Sequence, residues 1–177
     1  MSDILIRPST SGDIEAIAAI YGWNVENGTG TFELAAPDLD EMARRHADVV
    51  AKQLPWLVLE HAGAVVGYAY ANHFRPRLAY RFCVEDSVYL APGVFGRGFG
   101  RLLLAELIAR CEAAGARQML AVIGDSANTG SIGVHRALDF EPVGTMKSAG
   151  WKFDRWLDVV VMQRSLGLGD GVAAPPA

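Results

Sequence analysis

Phe95-Gly96-Arg97-Gly98-Phe99-Gly100-Arg101 is the stretch on which the reading of this chain turns. It lies between a strand candidate over 82–90, ended by Pro92-Gly93, and a helix candidate over 101–114. In the strand, Phe82, Val84, Asp86, Val88 and Leu90 point one way, and Cys83, Glu85, Ser87 and Tyr89 the other. Both faces carry apolar residues, which predicts a central strand. In the helix, Leu103, Leu104, Leu107, Ile108 and Cys111 make one apolar stripe, and Gly115 ends it. The three alternating glycines between them leave backbone N–H groups unobstructed, and the helix adds the positive end of its dipole. That combination suits a pyrophosphate. The spacing is G-x-G-x-G, not the dinucleotide G-x-G-x-x-G, and no Lys-Ser/Thr of a nucleotide P-loop follows. Read alone, the loop is equally a flexible turn before a helix.

Working outward, residues 4–7 read as a strand stopped by Pro8. Ser9, Thr10 and Ser11 offer caps for a helix with Ile14, Ile17, Ala18 and Tyr21 on one face. Asp38 with Glu41 resembles a capping box opening a second helix that runs to about Lys52. Residues 56–60 and 64–71, split by His61-Ala62-Gly63, read as a hairpin. Residues 118–123 predict a buried strand, 131–138 a short helix, and 140–146 and 157–163 two further strands. The segment 167–177 is Gly, Ala and Pro with little else, which predicts a mobile tail after a single domain over 1–166. One mixed α/β domain results.

The chain has 177 residues, enough for one domain, with 51% hydrophobic residues, which excludes wholesale disorder. Its net charge of −4 lacks the basic footprint that nucleic-acid binding requires. Cys83 and Cys111 lie far apart with no CxxC or Cys/His cluster, so no metal site is expected. Two lone thiols, no signal core and no membrane-length apolar run predict a cytoplasmic protein without membrane contact.

The glycine loop resembles motif A, Gln/Arg-x-x-Gly-x-Gly/Ala, of the GNAT superfamily of acetyl-CoA-dependent N-acetyltransferases. The stretch from Asn128-Thr129-Gly130-Ser131 to Leu138-Asp139-Phe140 is similar to its motif B. Phe74-Arg75-Pro76, Val84-Glu85-Asp86-Ser87-Val88-Tyr89-Leu90, Lys152-Phe153-Asp154-Arg155-Trp156 and Gly28-Thr29-Gly30-Thr31-Phe32-Glu33 narrow the resemblance to its phosphinothricin and methionine-sulfoximine acetyltransferases. Three positions depart from that pattern. Phe95 stands at the Gln/Arg of motif A, Asp139 replaces the glycine before Phe140, and Asp154 replaces one before Arg155-Trp156.

The resemblance implies the GNAT fold: helices flanking a twisted, mixed but mostly antiparallel sheet of about six to seven strands, with splayed central strands. It implies acetyl-CoA as co-substrate, a small amino-acid-like amine as acceptor, and a homodimer with residues 152–156 near the interface or pocket. Val88, Tyr89 and Leu90 then match the strand that pairs with the pantetheine arm, as in strand addition. Gly96, Arg97, Gly98, Phe99, Gly100 and Arg101 match the pyrophosphate loop, and Asn128 the residue at the pantetheine end. Amides of Tyr89 or Leu90 are expected to stabilise the oxyanion.

Glu85 takes the family's general-base position, where burial would raise its pKa towards a useful value. Without that context it reads as a polar strand end. His135 stands where many members place a tyrosine general acid. It is expected to protonate the coenzyme A thiolate or to orient the base or its water, although a helix-face histidine is more often structural. Arg75 and Arg77, with Phe74, are expected at the acceptor's acidic group, since a guanidinium fork suits a carboxylate. As bare residues the two arginines read as solvated loop positions. Ser87 and Phe32 complete the expected acceptor pocket, with Tyr89 and Trp156 as further walls, although aromatic residues in strands are more often core. The rival readings are an acetyltransferase for protein N-termini or polyamines, and a non-catalytic acetyl-CoA-binding module. A polyamine site should be acidic, and Arg75-Pro76-Arg77 opposes that.

Overall fold

In a computed structural model that describes residues 4–173, the elements follow in chain order. They are β1 (Ile4–Pro8), α1 (Ile14–Asn27), α2 (Leu39–Ala51), β2 (Trp56–His61), β3 (Ala64–His73), β4 (Cys83–Leu90), α3 (Phe99–Ala113), β5 (Gln118–Gly124), α4 (Thr129–Arg136), β6 (Glu141–Lys152) and β7 (Arg155–Ser165). The strands form one sheet in the order β1-β2-β3-β4-β5-β7-β6. Only β4 and β5 run parallel, because α3 crosses between them; the other neighbours are antiparallel.

Side-chain alternation along β4 divides the molecule into two layers. Tyr89 meets Tyr21 of α1 edge-on, with ring centroids 5.0 Å apart. Asp86 faces the other way and meets His135 of α4. The stripe of α3 (Leu103, Leu104, Leu107, Ile108 and Cys111) is buried on that second face. As the sequence predicted, β4 is central and carries core residues on both sides.

Several boundaries move for identifiable reasons. Asn128 accepts a hydrogen bond from the Ser131 amide and starts α4 at Thr129, two residues before the predicted start. The last two strands are longer than the predicted 140–146 and 157–163, and meet in a turn at Phe153 and Asp154, whose φ angles are 52° and 53°. Two consecutive left-handed residues give the turn whose twist matches a hairpin, so the strands continue up to it. Phe140 precedes β6 and packs in the core against the His135 ring. In β5, expected to be buried, Val122 is exposed. Residues 167–173 carry turns, with Gly169 donating to Leu166 and Gly171 to Leu168; the rest of the expected mobile tail, 174–177, lies outside the described residues.

Candidate active site

The sheet opens beside Glu85. The β4–β5 register matches Cys83 with Gln118, Val84 with Met119 and Glu85 with Leu120, and ends there. Beyond it β4 follows β3 to Leu90, while β5 follows β7 to Gly124.

The ladder decides which backbone groups face this gap. The Phe74 amide donates to Cys83 O at 3.1 Å, and the Ala91 amide donates to Val66 O at 2.9 Å. Bonds alternate along an antiparallel pair, so Cys83, Glu85, Ser87 and Tyr89 direct their N–H and C=O groups towards β3. Val88 and Leu90 turn theirs into the gap, while the Asp86 amide serves the last β4–β5 pair, Glu85 with Leu120. This corrects one expectation: the Tyr89 amide is committed to its partner Tyr68, and the strand amides open to the cleft belong to Val88 and Leu90. The Leu90 carbonyl accepts from Asn24 Nδ2 at 3.0 Å, which ties the end of α1 to the rim.

At the end of the gap lies the glycine loop. Gly96 and Gly98 have φ of 75° and 82°, a left-handed backbone that side chains resist, and Gly98 is the cap of α3. A Cβ at either position would meet open space, so backbone geometry rather than crowding demands glycine there. Gly100 has ordinary room for a Cβ, with Leu90 and Val134 side chains at 3.7 and 3.9 Å. Phe99, expected among the cofactor contacts, is 3% exposed, so its ring is part of the core and closed to a ligand. Arg101 is exposed on the first turn of α3. Arg97 lies over the Phe99 ring at 4.9 Å and reaches His61 Nε2 at 3.0 Å. Phe95, at the departure from motif A, is 52% exposed and lies 5.7 Å from the Trp23 ring. An aromatic pair thus stands where the motif has a polar side chain.

On the α1 side of β4, Glu85 is half-buried. Burial pushes its carboxyl pKa up, the neighbouring Asp86 charge adds to this, and Arg75 opposes it. Arg75 is exposed, its guanidinium 4.8 Å from the Phe74 ring. Arg77 is exposed at the start of the short turn Leu78–Tyr80. Ser87 pairs across the ladder with Tyr70, its side chain on the same face of β4 as Glu85. Phe32 is wedged between Gly124 at the end of β5 and Gly150 of β6, both of which a Cβ would close. Asn128 donates to Gly124 O at 3.1 Å and holds the far lip of the gap.

His135 is placed differently from the expectation that it orients the base. It is 4% exposed and lies on the opposite face of β4 from Glu85. Its Nδ1 donates to Ser131 O at 2.7 Å and its Nε2 contacts Asp86 Oδ1 at 3.0 Å. Both nitrogens face acceptors, so the doubly protonated ring satisfies the site. Burial lowers its pKa, but the Asp86 hydrogen bond and charge and the Ser131 carbonyl outweigh that, and the net shift is upward.

Asp86 and Lys152 were given no role of their own in the sequence. A carboxylate among Val84, Val88 and Leu90 on the apolar side of a strand was the available signal for Asp86. Lys152 was marked only as part of the 152–156 segment expected near the interface or pocket. Trp156, a proposed wall, is 63% exposed on the β6–β7 hairpin. Among the described residues no group of three His, Cys, Asp or Glu side chains is placed to hold a metal. No helix among them is long and apolar enough to cross a membrane.

The overall fold is shared with known proteins. Residues 17–140 match the acetyltransferase (GNAT) family. The chain belongs to that family. It is 52% identical to a phosphinothricin N-acetyltransferase of Alcaligenes faecalis over 93% of this chain and 84% of the relative. It is 42% identical to an L-methionine sulfoximine/L-methionine sulfone acetyltransferase of Pseudomonas aeruginosa, over 91% of this chain and 94% of that one. Among solved structures it resembles a phosphinothricin acetyltransferase of Sinorhizobium meliloti in complex with acetyl-CoA. The TM-score is 0.94 at 46% identity, covering 97% of this chain and 93% of that one. The residues of this GNAT acetyltransferase that could hold acetyl-CoA are Val88 and Leu90, whose amides face the gap, and the Gly96–Gly98 backbone.

Proposed function

We propose that this acetyltransferase moves acetyl from acetyl-CoA to the α-amine of a small amino-acid-like substrate of the phosphinothricin or methionine sulfoximine type. The observation that carries the reading is Glu85: it is the last β4 residue in register with β5, at the mouth of the gap, with Arg75 close enough to act on its charge.

Glu85, directly or through a water, takes a proton from the acceptor ammonium; its raised pKa makes it a stronger base than a free carboxylate. The freed amine forms a C–N bond at the thioester carbonyl, and the oxyanion is met by the Val88 or Leu90 amide. Collapse breaks the C–S bond and releases coenzyme A, whose thiolate takes up the second proton, the one the attacking nitrogen sheds on becoming an amide. Arg75, assisted by Arg77, holds the acceptor's acidic group, and Phe32 and Ser87 border its side chain. His135 supports rather than donates, because its protons are held by Ser131 and Asp86. Neither cysteine offers a nucleophile: Cys111 is buried, with its pKa pushed up to about 12 by burial, and burial also raises Cys83.

The same reading includes a homodimer in the cytosol. Along β6 residues 141–149 are exposed, and Val143, Met146, Trp151, Phe153 and Trp156 present apolar surface on the hairpin. An uncovered apolar edge strand calls for a partner. Sedimentation velocity on wild type and on Val143→Lys/Met146→Lys tests this; an unchanged monomeric species in both removes the dimer. The free thiols fit a reducing compartment.

Coenzyme A release, followed over a panel of amines with acetyl-CoA, tests the activity. Turnover is expected for phosphinothricin, methionine sulfoximine and methionine sulfone. Release independent of any amine would leave a binding module, and a preference for polyamines would overturn the acceptor class.

A further inference from the structure

The β6–β7 hairpin reaches back onto the segment that borders the acceptor side of the sheet. Lys152, the last residue of β6, is 3% exposed, and its Nζ donates to Gly28 O and to Thr31 O, each at 2.9 Å. A buried ammonium is costly to desolvate, and both of its observed protein acceptors belong to a loop more than a hundred residues away in sequence.

What that loop carries explains why its position matters. The Thr31 hydroxyl lies 2.9 Å from the Tyr21 hydroxyl and accepts from the Glu33 amide at 3.3 Å. Tyr21 packs edge-on against Tyr89 of β4. Glu33 pairs with Arg45 at 2.6 Å, and the Tyr70 phenol, diagonal to Glu85 across the β3–β4 ladder, feels the charge of both carboxylates. Phe32, between Thr31 and Glu33 in the chain, packs onto Gly150, two residues before Lys152 on the same strand. The hairpin therefore holds the loop at two points, one polar and one apolar. A lysine is suited to the polar point because one ammonium bonds two carbonyls that have no strand partner.

We propose that Lys152 is a positioning residue for the acceptor site, fixing the 28–33 loop to the hairpin so that Phe32 and Glu33 border the acceptor beside Glu85. This rests on the acceptor reading above. It adds that acceptor recognition depends on β6, which is remote in sequence from Arg75 and Glu85.

The test is Lys152→Met, which keeps an unbranched chain and removes the donors, with Gly150→Ala as an independent variant that displaces Phe32 while leaving the ammonium. Both are expected to raise KM for the amino-acid acceptor about tenfold or more, as for loss of a charge-assisted hydrogen bond, with KM for acetyl-CoA within about twofold of wild type. Hydrogen exchange at the amides of residues 28–33 should quicken in both. A role in stability alone would lower the melting temperature and leave both KM values unchanged, which overturns the proposal. If Lys152→Met does not fold, Gly150→Ala decides alone: a selective rise in acceptor KM supports the clamp, and its absence overturns it. A wild-type enzyme that turns over no amino-acid acceptor defeats the acceptor reading separately. The clamp is then judged by hydrogen exchange over 28–33, and unchanged rates overturn it.

Discussion

His135 Nε2 lies 3.0 Å from Asp86 Oδ1, both side chains buried, on the α4 side of the strand whose other face presents Glu85. Neighbouring carboxylates are thus sent to opposite layers. Asp86 is paired and enclosed, whereas Glu85 is half-buried and faces the acceptor side. Only the second is free to exchange a proton with a substrate.

Glu85→Gln is expected to retain acetyl-CoA binding and lower kcat by roughly 10²–10⁴-fold, the usual loss with a general base. In wild type, kcat/KM should fall as pH drops through the raised Glu85 pKa, above the ordinary value of 4.5. The variant should lack that acid limb. A pH–rate profile unchanged by the substitution removes Glu85 from the chemistry.

Arg75→Ala should raise the acceptor KM about ten- to a hundredfold for a carboxylate substrate and leave KM for acetyl-CoA unchanged. Because the Arg75 charge holds the Glu85 pKa down, its removal should also move the acid limb to higher pH. Lysine should recover the charge effect and only part of the KM, since it lacks the fork. Steady-state kinetics on an amino acid and its amide check this; equal losses on both would make Arg75 structural.

The two loop glycines should respond differently. At Gly98, φ of 82° makes Gly98→Val strained whatever the space, and acetyl-CoA affinity should fall. Gly100 is helical with ordinary room for a methyl group, so Gly100→Ala should bind nearly as wild type. Calorimetric titration with coenzyme A compares them. Equal affinities across wild type and both variants would separate the loop from phosphate binding.

His135→Ala leaves the Asp86 charge buried without its partner and should cost about 3–5 kcal/mol of stability. The folded His135 pKa lies above the free-imidazole value of 6.5, so the pair's contribution is complete below that value and is lost as pH rises through the folded pKa. Wild type should therefore lose stability on the alkaline side of that transition, and His135→Ala should lack that step. Urea melts from pH 5 to 9 read both. If the two proteins show the same pH dependence, the ionised pair does not contribute.

Local pattern was enough for much of this protein. Period-2 and helical spacing located every strand and α-helix, and the glycine spacing marked the turn that caps α3, because those signals are carried by adjacent residues. Alternation along 82–90 even assigned Glu85 and Asp86 to opposite faces. Asp139 and Asp154, read as departures from glycine, both adopt positive φ (62° and 53°), the backbone those glycines would supply. Three-dimensional packing decided the rest. It spent the Tyr89 amide on β3, enclosed His135 against Asp86, buried the Phe99 ring, and brought Lys152 to Gly28 and Thr31. Each of these depends on which distant strand or loop supplies the hydrogen-bond partner, and a burial energy shared by residues more than a hundred positions apart leaves no periodic trace at either one.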